Sequence, residues 1–171
     1  QAEHSSDTFC YLITNSEKTA KLVNEIISKL LPTIQRSELV KSSLSKNGFI
    51  AVCRNSSDMV NLANSLAPEH LQIMTKNPKS ISSKITTAGL VLLGDYSPSS
   101  ASDYILGSNH ILPTNGFGKI RGSLSVMDFI KINTEVTASK LSLSKISKHL
   151  DTLTTSEGLP NHYEAVRGRL Q

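Results

Sequence analysis

The chain has 171 residues, 38% of them hydrophobic and only 5% aromatic, with no Trp. That length suits one domain, or a domain with an appendage, and supports an ordinary hydrophobic core. Lys and Arg number 18 against 14 Asp and Glu, a net charge of +4 with no run of three basic residues. So mild and scattered a charge excludes the basic footprint that nucleic acid or an anionic membrane surface requires.

The longest apolar runs, 88–94 and 49–53, are far too short to span a bilayer, which takes about 20 residues. Residues 1–8 are polar and read as an interior stretch, with no charged-then-apolar leader. Cys10 and Cys53 lie within separate apolar runs and form no C-x-x-C pair. They read as buried thiols of a reducing compartment, so the expectation is a soluble, intracellular, cytoplasmic protein.

Residues 9–14 (FCYLIT) predict a strand, and Asn15-Ser16 can cap the helix predicted over 16–31, where Ala20, Val23, Ile26, Ile27 and Leu30 recur at helical spacing. Pro32 stops that helix. Residues 33–45 predict a second helix, ended by Asn47-Gly48, and 49–53 (FIAVC) a second strand. A helix over 56–66, capped by Ser56 or Ser57, leads to a strand at 71–74 (LQIM), a weak helix at 80–85 and a strand at 90–93 (LVLL). Short continuous apolar strands alternating with helices define an α/β fold with parallel pairing. About four strands make a thin sheet, which suggests the second half of a larger Rossmann-like unit.

Gly, Ser, Pro and Asn dominate residues 94–122, a segment too long for a simple connection and therefore a candidate functional loop. Beyond it, 126–132 predicts a strand, 137–153 an amphipathic helix, and Pro160 opens a last helix to Gln171. The organisation expected is an α/β portion over 1–122 and a mainly helical portion over 123–171.

The residues able to carry chemistry fall in short strings. Gln1 and His4, in Q-A-E-H, share one face of a helical turn and offer an amide oxygen and an imidazole to a divalent metal. The plain alternative is an exposed polar helix start. Glu69 and His70, in A-P-E-H-L, stand at a strand entry, where α/β proteins bind ligands; a carboxylate and an imidazole there can accept protons. The alternative is a solvated Glu and a packed His. Asp103 and His110 lie in the unusual loop and can converge on one ion or polar substrate, or act as a helix cap and a surface imidazole. Glu157 and His162 bracket E-G-L-P-N-H, where Gly158 and Pro160 explain a helix stop and start but not the flanking pair. His149 reads as surface. The string Gly116-Phe-Gly118-Lys-Ile-Arg-Gly122 has the wrong spacing for a dinucleotide fingerprint and lacks its strand and helix context.

In order, Q-A-E-H, A-P-E-H-L, G-D-Y-S-P-S-S-A-S-D-Y, G-S-N-H-I-L-P-T, G-S-L-S-V-M-D-F and E-G-L-P-N-H resemble the histidinol dehydrogenase family along the whole chain, specifically the C-terminal portion of its members. The resemblance implies an NAD-dependent zinc enzyme of histidine biosynthesis that oxidises L-histidinol to L-histidine through L-histidinal with two NAD. By matching position it implies Gln1, His4, Asp103 and His162 as zinc ligands, and Glu69 with His70 as the proton-transfer pair. Substrate contacts fall to Gln1, His4, His70, Asp103, His110, Glu157 and His162. It further implies a homodimer in which Glu157 and His162 complete the partner's site, and NAD contacts in a preceding half outside this chain. Where the family often has Gly before the loop aspartate, this chain has Ser102. The competing expectation is a non-enzymatic α/β fragment, a dimerisation or metal-binding module.

Overall fold

The computed structural model describes residues 1–171. In chain order the elements are β1 (Tyr11–Thr14), α1 (Glu17–Leu30), α2 (Ser37–Asn47), β2 (Phe49–Val52), α3 (Ser56–Leu66), β3 (His70–Ile73), α4 (Pro78–Ser82), β4 (Leu90–Leu93), α5 (Ser99–Ser102), α6 (Lys140–Ser156) and α7 (Pro160–Leu170), with 3-10 turns at Leu31–Thr33, Phe117–Lys119 and Val126–Phe129. The fold is α/β, as the alternation of short strands and helices requires, and its C-terminal end is helical. It divides into two compact units, Gln1–Phe129 and Ile130–Gln171; the division read from composition, at 122/123, lies a short way before that boundary.

In the first unit the strands form two parallel pairs, β1 with β2 and β3 with β4, and no single four-stranded ladder. Parallel neighbours cannot be joined by a tight hairpin. The crossover from β1 runs through α1, which packs on both strands of its pair, and the crossover from β3 runs through α4, which does the same. The apolar residues taken fully from water are Val60, Ala63 and Ala67 at one stripe of α3 and its end, Ile73 of β3 and Leu92 of β4. Their spacing along α3 is that of a single buried helix face.

Local chemistry sets the boundaries. Ser16 caps α1 by accepting the Thr19 N–H at 3.1 Å. Helix α2 begins at Ser37, later than the periodicity suggests, because Pro32 sits in a 3-10 turn and Arg36 takes a left-handed backbone, φ 55°. Asn55, one residue ahead of the two serines favoured from sequence, caps α3 through Asp58 N–H at 2.9 Å. Ser139 caps α6, which therefore starts at Lys140 and runs on to Ser156.

The strand expected at 126–132 is absent. The Asp128 carboxylate accepts the Ser125 N–H at 2.7 Å and the Asp128 N–H donates to the Ser125 carbonyl at 3.1 Å. These bonds close a turn, and an apolar run without a neighbouring strand to pair with has no ladder to join.

Two glycines fix how the long loop lies on the β3–β4 pair. A Cβ on Gly89 would sit 2.8 Å from the Glu69 carbonyl oxygen, and one on Gly118 would sit 1.9 Å from that of Thr87. The segment that Gly118 approaches is pinned from α3. Asn64 accepts the Thr86 N–H at 2.9 Å and donates to the Lys84 carbonyl at 2.9 Å, while the Thr87 hydroxyl donates to the Asn64 carbonyl at 2.8 Å.

In the second unit α6 and α7 pack against each other as a helical hairpin. Gly158 turns the chain with φ 73°, and Pro160 occupies the first turn of α7, where a missing N–H costs nothing. No helix in the chain is long and apolar enough to cross a membrane.

Candidate functional site

The site begins where β3 begins. The Leu90 N–H donates to the Glu69 carbonyl at 2.8 Å, and His70 pairs with Leu90 in the ladder. Glu69 and His70 are therefore fixed at the entry of the strand. Two residues on, and so on the same face of the strand, the Gln72 amide donates to the Gly94 carbonyl at 3.1 Å. Gly94, at φ 84°, turns the chain out of β4. The loop that follows folds into the single turn of α5 and delivers Asp103 at its C-terminal end.

Asp103 is the hub. Its Oδ1 lies 3.1 Å from His70 Nε2 and 3.2 Å from His110 Nδ1, and its Oδ2 accepts the Gln1 Nε2–H at 3.2 Å. The ligand atoms of His70, Asp103 and His110 all lie within 4.8 Å of one another. Asp103 and His70 are nearly enclosed, with side chains 9% and 11% exposed, whereas His110 is 56% exposed. Burial penalises the Asp103 charge, but the two imidazoles and the Gln1 amide outweigh it and hold its carboxyl below the usual range.

A carboxylate held ionised accepts hydrogen bonds and donates none. His70 Nε2 therefore carries the hydrogen toward Asp103, and in the neutral ring the lone pair is then at Nδ1. That nitrogen faces Glu69, whose Oε1 is 3.9 Å away, beyond direct hydrogen-bond reach. An imidazole with one nitrogen anchored on a carboxylate and the other open toward a second carboxylate is the arrangement of an oriented proton acceptor.

The same donors fit a divalent metal. Imidazole nitrogens, a carboxylate and an amide, with no thiolate among them, make the mixed N,O set that suits zinc and allows a position to stay open to substrate.

Of the residues named from sequence, Gln1, His70, Asp103 and His110 are brought together, with Glu69 beside them. His4 is exposed on the turn that its own N–H closes onto the Gln1 carbonyl at 3.0 Å, and it is not one of the three clustered donors. In the second unit Glu157 caps the end of α6 and His162 stands in the first turn of α7, its N–H on the Leu159 carbonyl at 3.0 Å; both side chains are exposed. His149 is exposed on α6. Two residues that sequence reasoning passed over touch the site's frame. Ser99 accepts Gln1 Nε2–H at 2.9 Å, and Gln72 ties β3 to the loop. Their signals were positional, since Ser99 precedes Asp103 by one helical turn and Gln72 follows His70 by two.

Fold and site together define an α/β protein with a carboxylate–imidazole cluster whose ligand atoms are close enough to hold one metal ion. The histidinol dehydrogenase family model matches residues 1–170. The chain is 38% identical over 169 residues to the histidinol dehydrogenase of Oceanobacillus iheyensis, a match covering 99% of this chain and 40% of that protein. To that of Methanococcus maripaludis it is 41% identical over 170 residues, with 99% and 40% covered. The crystal structure of histidinol dehydrogenase from Elizabethkingia anophelis superposes with a TM-score of 0.84 at 32% identity, covering 99% of this chain and 39% of that one. The chain belongs to the histidinol dehydrogenase family and spans about 40% of the length of the curated relatives it matches.

Proposed function

We propose that this chain carries the metal-binding and proton-transfer half of a zinc-dependent histidinol dehydrogenase, oxidising L-histidinol through L-histidinal to L-histidine with two NAD. The observation that carries the reading is the convergence of His70, Asp103 and His110, from three separate motif strings, within 4.8 Å. Family membership supplies the substrate class, and the donor set supplies the fit to zinc.

Gln1, His4, Asp103 and His162 are the residues that would hold the metal, His162 coming from a partner subunit in a homodimer. Zinc there would supply a Lewis-acid anchor for the substrate's imidazole and amine, leaving the carbinol free. His70 accepts the carbinol proton as hydride leaves for NAD, returns it to the aldehyde oxygen as water adds, and accepts a proton again when the aldehyde hydrate is oxidised. Glu69, 37% exposed at the strand entry, reaches solvent and takes the proton from the water that hydrates the aldehyde. His110 and the partner's Glu157 hold substrate polar groups. The NAD contacts lie in the part of the relatives' length that this chain does not span.

The test is NADH formation from L-histidinol, with zinc, by the full-length protein and by a polypeptide limited to these 171 residues. The reading predicts two NADH per histidinol from the former and none from the latter. Turnover by the 171 residues alone would place the cofactor site within them and contradict it.

A further inference from the structure

We propose that Ser99 is a positioning residue for Gln1, setting the direction in which the Gln1 carbonyl oxygen is presented; the inference rests on the reading of Gln1 as a metal donor. Gln1 Nε2 lies 2.9 Å from Ser99 Oγ and 3.2 Å from Asp103 Oδ2. A carboxylate is acceptor-only, so the end of the amide turned toward Asp103 must be the NH₂ group. That group has two hydrogens and meets two acceptors, one on each residue. Both are consumed, and the carbonyl Oε1 is the free end of the side chain.

The two acceptors come from one helical turn. The Asp103 N–H donates to the Ser99 carbonyl at 3.1 Å, so Ser99 and Asp103 lie one above the other on α5 and grip the same amide. The turn itself is braced. Ser102, 3% exposed, donates its hydroxyl to that same Ser99 carbonyl at 2.7 Å. The Ser102 carbonyl in turn accepts the Ser108 hydroxyl at 2.8 Å. Ser99 thus presents its hydroxyl from a fixed backbone. With Asp103 alone the amide keeps one bond and is free to swing about it. With Ser99 present its plane is set by two. A hydroxyl serves here because it accepts from the amide without adding a charge beside Asp103.

The experiment uses the full-length protein, its metal removed, titrated with Co²⁺ and read by the ligand-field absorption of the bound ion. Ser99→Ala is expected to weaken Co²⁺ binding by about 3–10-fold, the range of one neutral hydrogen bond. Ser99→Thr, which keeps the hydroxyl, restores binding to within about twofold of the unsubstituted protein. The thermal midpoint of the metal-free protein is expected to be the same in all three. Equal Co²⁺ affinity in Ser99→Ala and the unsubstituted protein overturns the role of Ser99 and leaves the metal reading standing. A fall in metal-free stability that tracks the loss of affinity also overturns it, since Ser99 is then only structural. Failure of the unsubstituted protein to bind Co²⁺ overturns both.

Discussion

His70 Nε2 lies 3.1 Å from Asp103 Oδ1, although 33 residues separate the two in sequence. The bond joins the first residue of β3 to the end of α5, within the long loop after β4, and both side chains are nearly enclosed. Asp103 is therefore at once the loop's anchor and the acceptor around which the imidazoles gather.

Substituting Asp103→Asn keeps the shape but removes the charge that His70, His110 and Gln1 share. Zinc titration of the full-length protein should show weaker binding in this variant and in His4→Ala than in the unsubstituted protein. Equal stoichiometry and affinity in all three would remove both residues from the ligand set.

A proton acceptor held in position contributes about 10²–10⁴-fold to rate. His70→Asn is expected to lose turnover within that range on both histidinol and histidinal, with zinc content little changed. Glu69→Gln is expected to be more damaging on the aldehyde. Steady-state rates on the two substrates check this, and near-normal rates in His70→Asn would reduce His70 to packing at a strand end.

How much of this was legible beforehand differs by element. Residues 90–93 are apolar without interruption and pair as β4 just as read, because a run with no polar break has one way to be buried. Residues 126–132 are apolar at five of seven positions, yet Asp128 and Ser125 divert them into a turn, a competition between side chain and backbone that hydropathy does not register. The same holds at the site. Gln1, Glu69, His70, Asp103 and His110 stood out by residue type within their strings. Ser99 and Gln72 did not, since serine and glutamine are common surface choices and only the tertiary fold aims them. Gly118 lay in a string set aside as a cofactor fingerprint, and its purpose is close approach to the Thr87 carbonyl.

Gly118→Ala should therefore unsettle the loop. A Cβ 1.9 Å from a carbonyl oxygen forces a backbone shift, and overpacking of this kind costs about 1–3 kcal/mol. Denaturant unfolding of the full-length protein measures the loss. An unchanged midpoint would mean that the 3-10 turn does not rest on Thr87 in solution.

The turn at Asp128 gives a pH dependence of defined sign. The Ser125 N–H first, then Arg121 and the Ser125 hydroxyl, hold the Asp128 carboxyl below its ordinary value. A depressed folded pKa means that the stabilisation is present above the unfolded value of about 3.9 and is lost as pH falls through the folded one. The Ser125 amide, followed by NMR through an acid titration, should keep its shift down to about pH 4 and move below it. Movement centred near neutral pH would assign the change to another group.

The central claim is that Asp103 and Gln1, with His4 and the partner subunit's His162, hold a zinc ion beside His70 for histidinol oxidation. NADH formation from L-histidinol should be followed in full-length protein before chelation, after chelation, and after zinc is returned. The account predicts that chelation abolishes turnover and that zinc restores it in the unsubstituted protein but not in Asp103→Asn. Turnover that survives complete removal of the metal, verified by elemental analysis, would contradict it.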